Sequence, residues 1–567
     1  MVLDKPCHVV YKLNMATIRK QKVGKYTYWQ IIESKRVDGK PRPVVLMHLG
    51  TAEQLLYKLR EGPLEKTLRS ASHGAVSALW RVAAELDLIG IFNRCFSRQR
   101  RDGLSVGESL LLAAIHRAIK PGSKRAFASW AAQTTLPEIA SFDPTRLDSQ
   151  HFWEQMDAVT EEQLEAAEQA ITQRMLDLGL CSPRLLFYDL TNFFTYIASG
   201  NERSELAQRG HNKQKRHDLR QFGLAQVVTK EFLLPVFSEV YPGNRPDAAL
   251  FTPTLTKIRA KLSELELAVD ELTLIFDKGS NSKQNFAQLD ASEIPYVASL
   301  TPAHHEDLLT IPLSRYHKVS LGDREIPCVR LRKMVWGKER TLVLYVSEKL
   351  RAGQLRGLKQ ALAKKYALLA EFKAKLNNPR ARKRSRADVD RELKKILRGE
   401  KCERIIRVSV TEKAAGHFDL DWEIDADAYR WVTETLYGKR ILVTCRDDWS
   451  EAEIIAAYQG QSTVERVFRH LKNPYHNAVH PQFHWTDHKV KVHTFICLIG
   501  LLLSQVLWKK AREAGHLISL EALLDRLGDV RQVEVLTLGS HQGRPVKTTQ
   551  LEQMEPELQR LYDDVMQ

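Results

Sequence analysis

The sequence predicts a mixed α/β fold, and three observations carry that expectation. Short, mostly apolar runs, RLLFYDL (184–190), ELTLIFD (271–277) and PYVASL (295–300), have the length and texture of buried strands. Stretches before and after them repeat apolar residues at helical spacing. The chain of 567 residues is 43% hydrophobic and 27% charged, which suits a globular protein with a sizeable core and excludes a disordered or fibrous one.

The elements follow in order. Residues 1–62 form a small β-rich piece, in which KYTYWQIIESKRVDGKPRPVVLMHLG (25–50) reads as two strands joined at Asp38-Gly39. Residues 63–180 are helical: LWRVAAELDLIGIFNRCF (79–96) and VGESLLLAAIHRAI (106–119) have helical spacing, and Asp157 to Leu178 reads as one long helix. Residues 181–302 run strand, strand (222–229), strand (233–242), helix, strand, helix, strand, with a turn at Lys230-Glu231. The first helix of that series spans Asn244 to Leu265 with an Asx-type start. Residues 303–436 read as an insertion. Within it, IPCVRLRKMVWG (326–337) and ERTLVLYVSE (339–348) alternate like a hairpin, and 351–404 is a polar helical stretch. Residues 437–515 return to the first pattern with a strand (439–445), a long helix from Ser450 to Lys472 and another from Lys489 to Glu513. Residues 516–567 are expected as a helical tail.

Charge and cysteine narrow the function classes. Lys plus Arg number 85 against 69 Asp plus Glu, a net +16, which points to a polyanionic partner, nucleic acid before an anionic membrane. Residues 351–404 hold 18 Lys/Arg and 6 Asp/Glu, so three quarters of the net charge sits on a stretch that is either an arm for DNA phosphates or a solvated helix pair. Seven single cysteines without a CxxC pair exclude a zinc ribbon or disulfide framework and fit a reducing cytosol. The apolar run Thr494–Trp508 is 15 residues, short for a membrane span, and reads as a buried core helix. No membrane partner is expected. His476, His480, His484 and His488 recur every four residues, but Pro481 interrupts any helix, so no zinc site is expected there.

Two predicted strands end in an aspartate, Asp189 and Asp277, where open α/β sheets place their ligand clefts. Either could equally be a turn former or helix cap. On the 450–472 helix, Tyr458, Gln461, Glu465 and Lys472 share one face at about 100° per residue. Arg466 and Arg469 flank it. The alternative is a solvated face with an i,i+4 Glu465–Arg469 pair. Taken together, three carboxylates beside basic residues suit two Mg²⁺ ions, with Mn²⁺ as a substitute, acting on a phosphodiester.

These residues carry a resemblance. Tyr458, Glu465 and Lys472 fall on the spacing Y-x2-R-x3-E-x6-K, with Gln461 at the Arg position and Ser462 where Trp is common. Gly210-x2-Lys213-x2-Arg216-x-Asp218-x2-Gln221 with Tyr241-Pro-Gly-Asn244, then Asp277-x-Gly279-x2-Ser282-x2-Asn285, ERVFRHLKNP and DHKVKVHTFICLIGLLL follow in order. Tyr296 is followed by Val-Ala-Ser299 where the pattern has glycine. The chain resembles bacterial insertion-sequence transposases of the DDE type with a Tyr-Arg-Glu-Lys signature, of the insertion-sequence-four superfamily and its sixteen-thirty-four branch.

The resemblance implies a ribonuclease-H-like core split by the 303–436 insertion, with Asp189, Asp277 and Glu465 as catalytic metal ligands. It implies DNA contacts at Tyr458, Gln461, Arg466, Arg469 and Lys472, and a DNA-facing loop at Lys213, Lys215 and Arg216. It implies end binding by 63–180, double-stranded DNA as partner, a homodimer on that DNA, and a bacterial cytoplasmic, nucleoid-associated protein. The implied reaction is cleavage at insertion-sequence ends and strand transfer into target DNA. A nuclease of the same fold without strand transfer shares every site residue. A domesticated DNA-binding protein without catalysis would have no need of all three carboxylates.

Overall fold

The structure is a computed structural model and describes residues 16–37, 40–60, 66–97, 100–198, 200–212, 214–378, 383–537 and 546–567. Two compact units emerge: Met1–Ala71 with Arg531–Gln553, and Ser72–Val530 with Met554–Gln567.

In the first unit, Ala16–Val23, Tyr26–Val37 and Lys40–Thr51 form an antiparallel three-stranded sheet. Val37 pairs with Lys40; the expected Asp38-Gly39 turn between them lies outside the described residues. The strand Ala16–Val23 was not expected. Its sequence, ATIRKQKV, has no apolar alternation, and it is exposed along its whole length. Gly24, at φ 61°, turns it into the next strand. A second sheet joins Lys66–Ser72 to Arg531–Thr537 and Val546–Leu551. All three are strands in stretches read as helical, the first in 63–180 and the others in 516–567.

The second unit is built on one mixed sheet of nine strands. We label β1 Leu185–Thr195, β2 Arg220–Thr229, β3 Pro235–Pro242, β4 Thr273–Phe276 and β5 Tyr296–Ser299. Then come β6 His317–Leu321, β7 Arg324–Val335, β8 Lys338–Val346 and β9 Lys439–Thr444. Their order across the sheet is β6-β7-β8-β9-β5-β4-β1-β2-β3. β4 runs parallel to both β1 and β5, while β1-β2-β3 is an antiparallel meander. The predicted succession of three strands, helix, strand, helix, strand is thus present. Its helices are α2, Asp247–Glu264, and α3, Lys283–Ser292, numbered after α1, Val106–Ile119. α2 begins at Asp247, three residues after the expected Asx start at Asn244, with Pro246 as its N-cap, because a residue preceding proline is pushed out of the helical region.

The stretch 303–436 adds strands to this same sheet. β7 and β8 form the expected hairpin about Trp336-Gly337, both at positive φ, and β9 lies between β8 and β5, antiparallel to each. The basic stretch folds as α4, Glu348–Leu376, and α5, Arg386–Leu397. Leu358, Leu362, Leu369 and Phe372 on one, and Val389, Leu393 and Ile396 on the other, make the apolar stripes; the cations lie on the outer faces.

Helices of residues 74–177 pack with the long helix Asp487–Glu513 in a separate apolar core. That helix is apolar enough over one window to cross a bilayer, but 94% of the window is buried inside the protein. It crosses α1 at Gly500, where a Cβ would lie 2.6 Å from the Ala114 carbonyl. The helix read as Asp157–Leu178 spans Glu161–Asp177, because Thr160 and Gln163 form a capping box that starts a new helix.

Candidate active site

Register decides where the two aspartates sit. Thr273, Leu274 and Ile275 pair with Leu185, Leu186 and Phe187. Two residues further on, Asp277 and Asp189 stand at the same level of adjacent parallel strands. Hydrophobic neighbours bury both strands, yet Asp189 is half-buried and Asp277, just past the end of β4, is exposed. Asp189 Oδ1 accepts the Leu190 N–H at 2.8 Å.

The helix expected over Ser450–Lys472 breaks in two: α6, Glu451–Gln459, and α7, Gln461–Lys472, meeting at Gly460. Gly460 keeps helical φ and ψ (−58°, −25°). Its role is proximity: a Cβ there would lie 2.5 Å from Phe187 Cζ. The junction therefore rests on β1.

From there one helix face addresses the middle of β1 and the end of β4. The Tyr458 hydroxyl donates to Asp277 Oδ1 at 2.9 Å. Gln461 Nε2 donates to the Tyr188 carbonyl at 3.0 Å. Lys472 Nζ donates to Thr191 Oγ1 at 2.6 Å and lies 5.4 Å from the Phe193 ring centroid. Glu465 occupies the same stripe between Gln461 and Lys472, with its side chain exposed. It does not form the ion pair with Arg469 that the solvated-face alternative requires: among the described residues no cation pairs with it. Arg466 and Arg469 are exposed.

Carriers and carboxyl groups have to be distinguished. Register sets Asp189 beside Asp277, and Glu465 stands on the helix that packs on β1; among the described residues no three His, Cys, Asp or Glu side chains are close enough to hold an ion. Like charges resist being crowded, and the long Glu465 side chain reaches solvent. The donor chemistry, all carboxylate oxygen, is that of a site for a hard divalent cation.

Tyr458 is 5% exposed. Burial first, and then the Asp277 carboxylate, push its phenol pKa well up, so it stays a proton donor. Arg440 of β9 donates to the Tyr458 oxygen at 3.3 Å, with its guanidinium 5.7 Å from the ring centroid. Sequence reasoning missed Arg440, for which no motif gave a signal.

In the loop after β1, Lys213 lies outside the described residues. Lys215 is exposed, and Arg216 makes a two-pronged pair with Asp218 at 2.9 and 2.8 Å, which lowers the Asp218 pKa to about 2. Gly210 is there for close approach, since a Cβ would lie 2.1 Å from the Gly243 carbonyl. Asp487 anchors the loop by accepting from Ser204 Oγ (2.6 Å) and the Glu205 N–H (2.9 Å). His476 and His488 are each held by protein groups, Asp525 and the Met156 carbonyl respectively, both at 2.9 Å.

Comparison with known proteins adds the following. Residues 193–499 match the model of the transposase DDE domain, a span that includes Asp277 and Glu465 and starts four residues after Asp189. Residues 16–75 match the N-terminal domain of IS1634 family transposases. No curated protein matches the chain. Among solved structures, the cryo-EM structure of the piggyBac transposase synaptic complex with hairpin DNA is similar at 8% identity, over 80% of this chain and 78% of that one. Its TM-score of 0.34 is too low to bear on the site.

Proposed function

Because this chain belongs to the DDE transposases, in their IS1634 branch, we propose that it cuts DNA at the ends of an insertion sequence and joins the freed 3′-hydroxyls to target DNA. The observation that carries this is the meeting of Asp189, in the middle of β1, and Asp277, just past the end of β4, with the Tyr458–Gln461–Lys472 helix face. The order β3-β2-β1-β4-β5, with β4 and β5 parallel to β1, supports a ribonuclease-H-like core.

Asp189, Asp277 and Glu465 are the residues to hold two Mg²⁺ ions, or Mn²⁺ in their place. Such ions, when bound, activate an attacking water or hydroxyl and stabilise the leaving oxygen. Glu465, exposed on the helix that packs on β1, is the third ligand in this reading. Lys472, fixed by Thr191, offers its ammonium to a DNA phosphate beside the cleft. Exposed Arg466 and Arg469 extend that basic edge, and Lys215 and Arg216 offer a second one; Lys213, beside them in sequence, is proposed as a DNA contact with them. The outer faces of α4 and α5 carry cations suited to phosphate backbone. Two copies of the chain act together, one on each end of the element, in the nucleoid of a bacterial cytoplasm.

The test is a cleavage and joining assay in Mg²⁺ on supercoiled DNA carrying the element ends. Wild-type protein is expected to cut and join. Asp189→Ala, Asp277→Ala and Glu465→Gln are each expected to abolish both steps while binding the DNA ends normally. Cutting without joining would identify a nuclease, and activity within about tenfold of wild type would remove that residue from the site.

A further inference from the structure

We propose that Tyr458, held by Arg440, is a positioning residue that fixes the Asp277 carboxylate for metal binding, and that β9 thereby sets the metal affinity of the site. This rests on the metal-site reading above. The family signature instead implies a DNA contact for this tyrosine, and the two roles make opposite demands on its hydroxyl.

A phenol has one proton to donate. In Tyr458 it goes to Asp277 Oδ1, at 2.9 Å. The ring is buried, so a DNA phosphate arriving at the cleft meets Lys472 and the exposed arginines before it. Arg440 donates to the same phenol oxygen at 3.3 Å and lies over the ring, which leaves Tyr458 little choice of direction. Arg440 is held by the sheet in turn: it stands on β9, paired with Tyr345 of β8.

Asp277 needs such a partner. It sits beyond the end of a four-residue strand, exposed, where its side-chain torsions are otherwise set by solvent. A hydrogen bond to Oδ1 fixes the plane of the carboxylate and turns Oδ2 in one direction. Partners of this kind behind a metal-binding carboxylate orient it and tune its affinity. The strands added between Asp277 and Glu465 thereby act on the catalytic centre itself, through Arg440, Tyr458 and Asp277 in series.

The experiment measures Mn²⁺ binding to the full chain without DNA, by calorimetry, and binding of end DNA in metal-free buffer. Tyr458→Phe removes the hydroxyl and keeps the ring. It is expected to weaken Mn²⁺ binding about tenfold or more while DNA affinity stays within about twofold. Arg440→Met should move Mn²⁺ affinity the same way, and Arg440→Lys should restore part of it. In an Asp277→Asn background, Tyr458→Phe should have no further effect on Mn²⁺. Lost DNA affinity with unchanged Mn²⁺ binding would make Tyr458 a DNA contact and overturn the inference. Unchanged Mn²⁺ binding in Tyr458→Phe with loss in Asp277→Asn would also overturn it, while leaving the site intact. Unchanged Mn²⁺ binding in Asp277→Asn would remove the metal site itself. Should Tyr458→Phe unfold, Arg440→Met against Arg440→Lys decides by the same readout.

Discussion

Replacing Gly460 with alanine separates two explanations of the helix break. If Gly460 merely interrupts a helix, alanine should help: its φ and ψ are already helical, and Gly to Ala in a helix gains up to about 1 kcal/mol. If it is there so that the helix can rest on β1, alanine should harm. The new Cβ would lie 2.5 Å from Phe187 Cζ, 2.9 Å from Cε1 and 3.0 Å from the Ala457 carbonyl. Carbon atoms pack at about 3.5–4.0 Å, so roughly 1 Å must be found. Phe187 is fully buried on β1 and cannot swing aside. Overpacking of that kind costs about 1–3 kcal/mol, which outweighs the propensity gain. The helix is expected to lift from β1 by part of that distance, carrying Glu465 with it. A misplacement near 1 Å can cost about 100-fold in rate. Gly460→Ala should therefore lower the unfolding midpoint and cut DNA cleavage by one to two orders of magnitude. Phe187→Leu, which shortens the obstructing side chain, should recover part of both losses in the double variant. A Gly460→Ala protein that is more stable than wild type and cleaves at the wild-type rate would refute the close-approach account.

Two further outcomes follow from the same physics. Replacing the exposed Lys359, Lys364 and Lys394 of the basic helix pair, and Lys383 just before α5, with serine should flatten the plot of log K for DNA against log salt by about 0.9 per lost phosphate contact; an unchanged slope would make α4 and α5 a solvated pair. His116 is 3% exposed between Phe127 and Trp130, and burial first, then the Arg117 charge, lower its pKa to about 3. The unfolded chain takes that proton near pH 6.5, so the site's stability is complete above that pH and is lost as pH falls toward 3. By pH 5 the loss is about 2 kcal/mol. Denaturant unfolding at pH 7.5 and 5 should show it, and His116→Gln should reduce the difference; equal pH dependence in the two proteins would contradict it.

The parts that were legible in the sequence are those written locally. Apolar runs at Asp189 and Asp277 gave the two strands, though the first does not end at its aspartate but runs on to Thr195, paired with the next strand; 3.6-residue spacing gave the face of Tyr458, Gln461 and Lys472. What escaped was set by sheet order and close contact. Arg440 reaches Tyr458 because β9 enters the sheet between β8 and β5, an arrangement no run of residues encodes. Gly460 carries no local sign of Phe187, which lies 273 residues earlier. Ala16–Val23 lacked the alternation that marks a half-buried strand because neither of its faces is buried. The break at Thr160 was legible in retrospect, since a Thr-x-x-Gln capping box stands in the sequence.

The central claim is that Asp189, Asp277 and Glu465 hold the metal at one catalytic centre. Anomalous diffraction from Mn²⁺-soaked crystals of the protein bound to its end DNA tests it most directly. The account predicts Mn²⁺ peaks beside the scissile phosphate, with ligand distances of about 2.0–2.2 Å to oxygens of all three carboxylates. Peaks that Glu465 does not touch, or bound Mn²⁺ away from both aspartates, would contradict it.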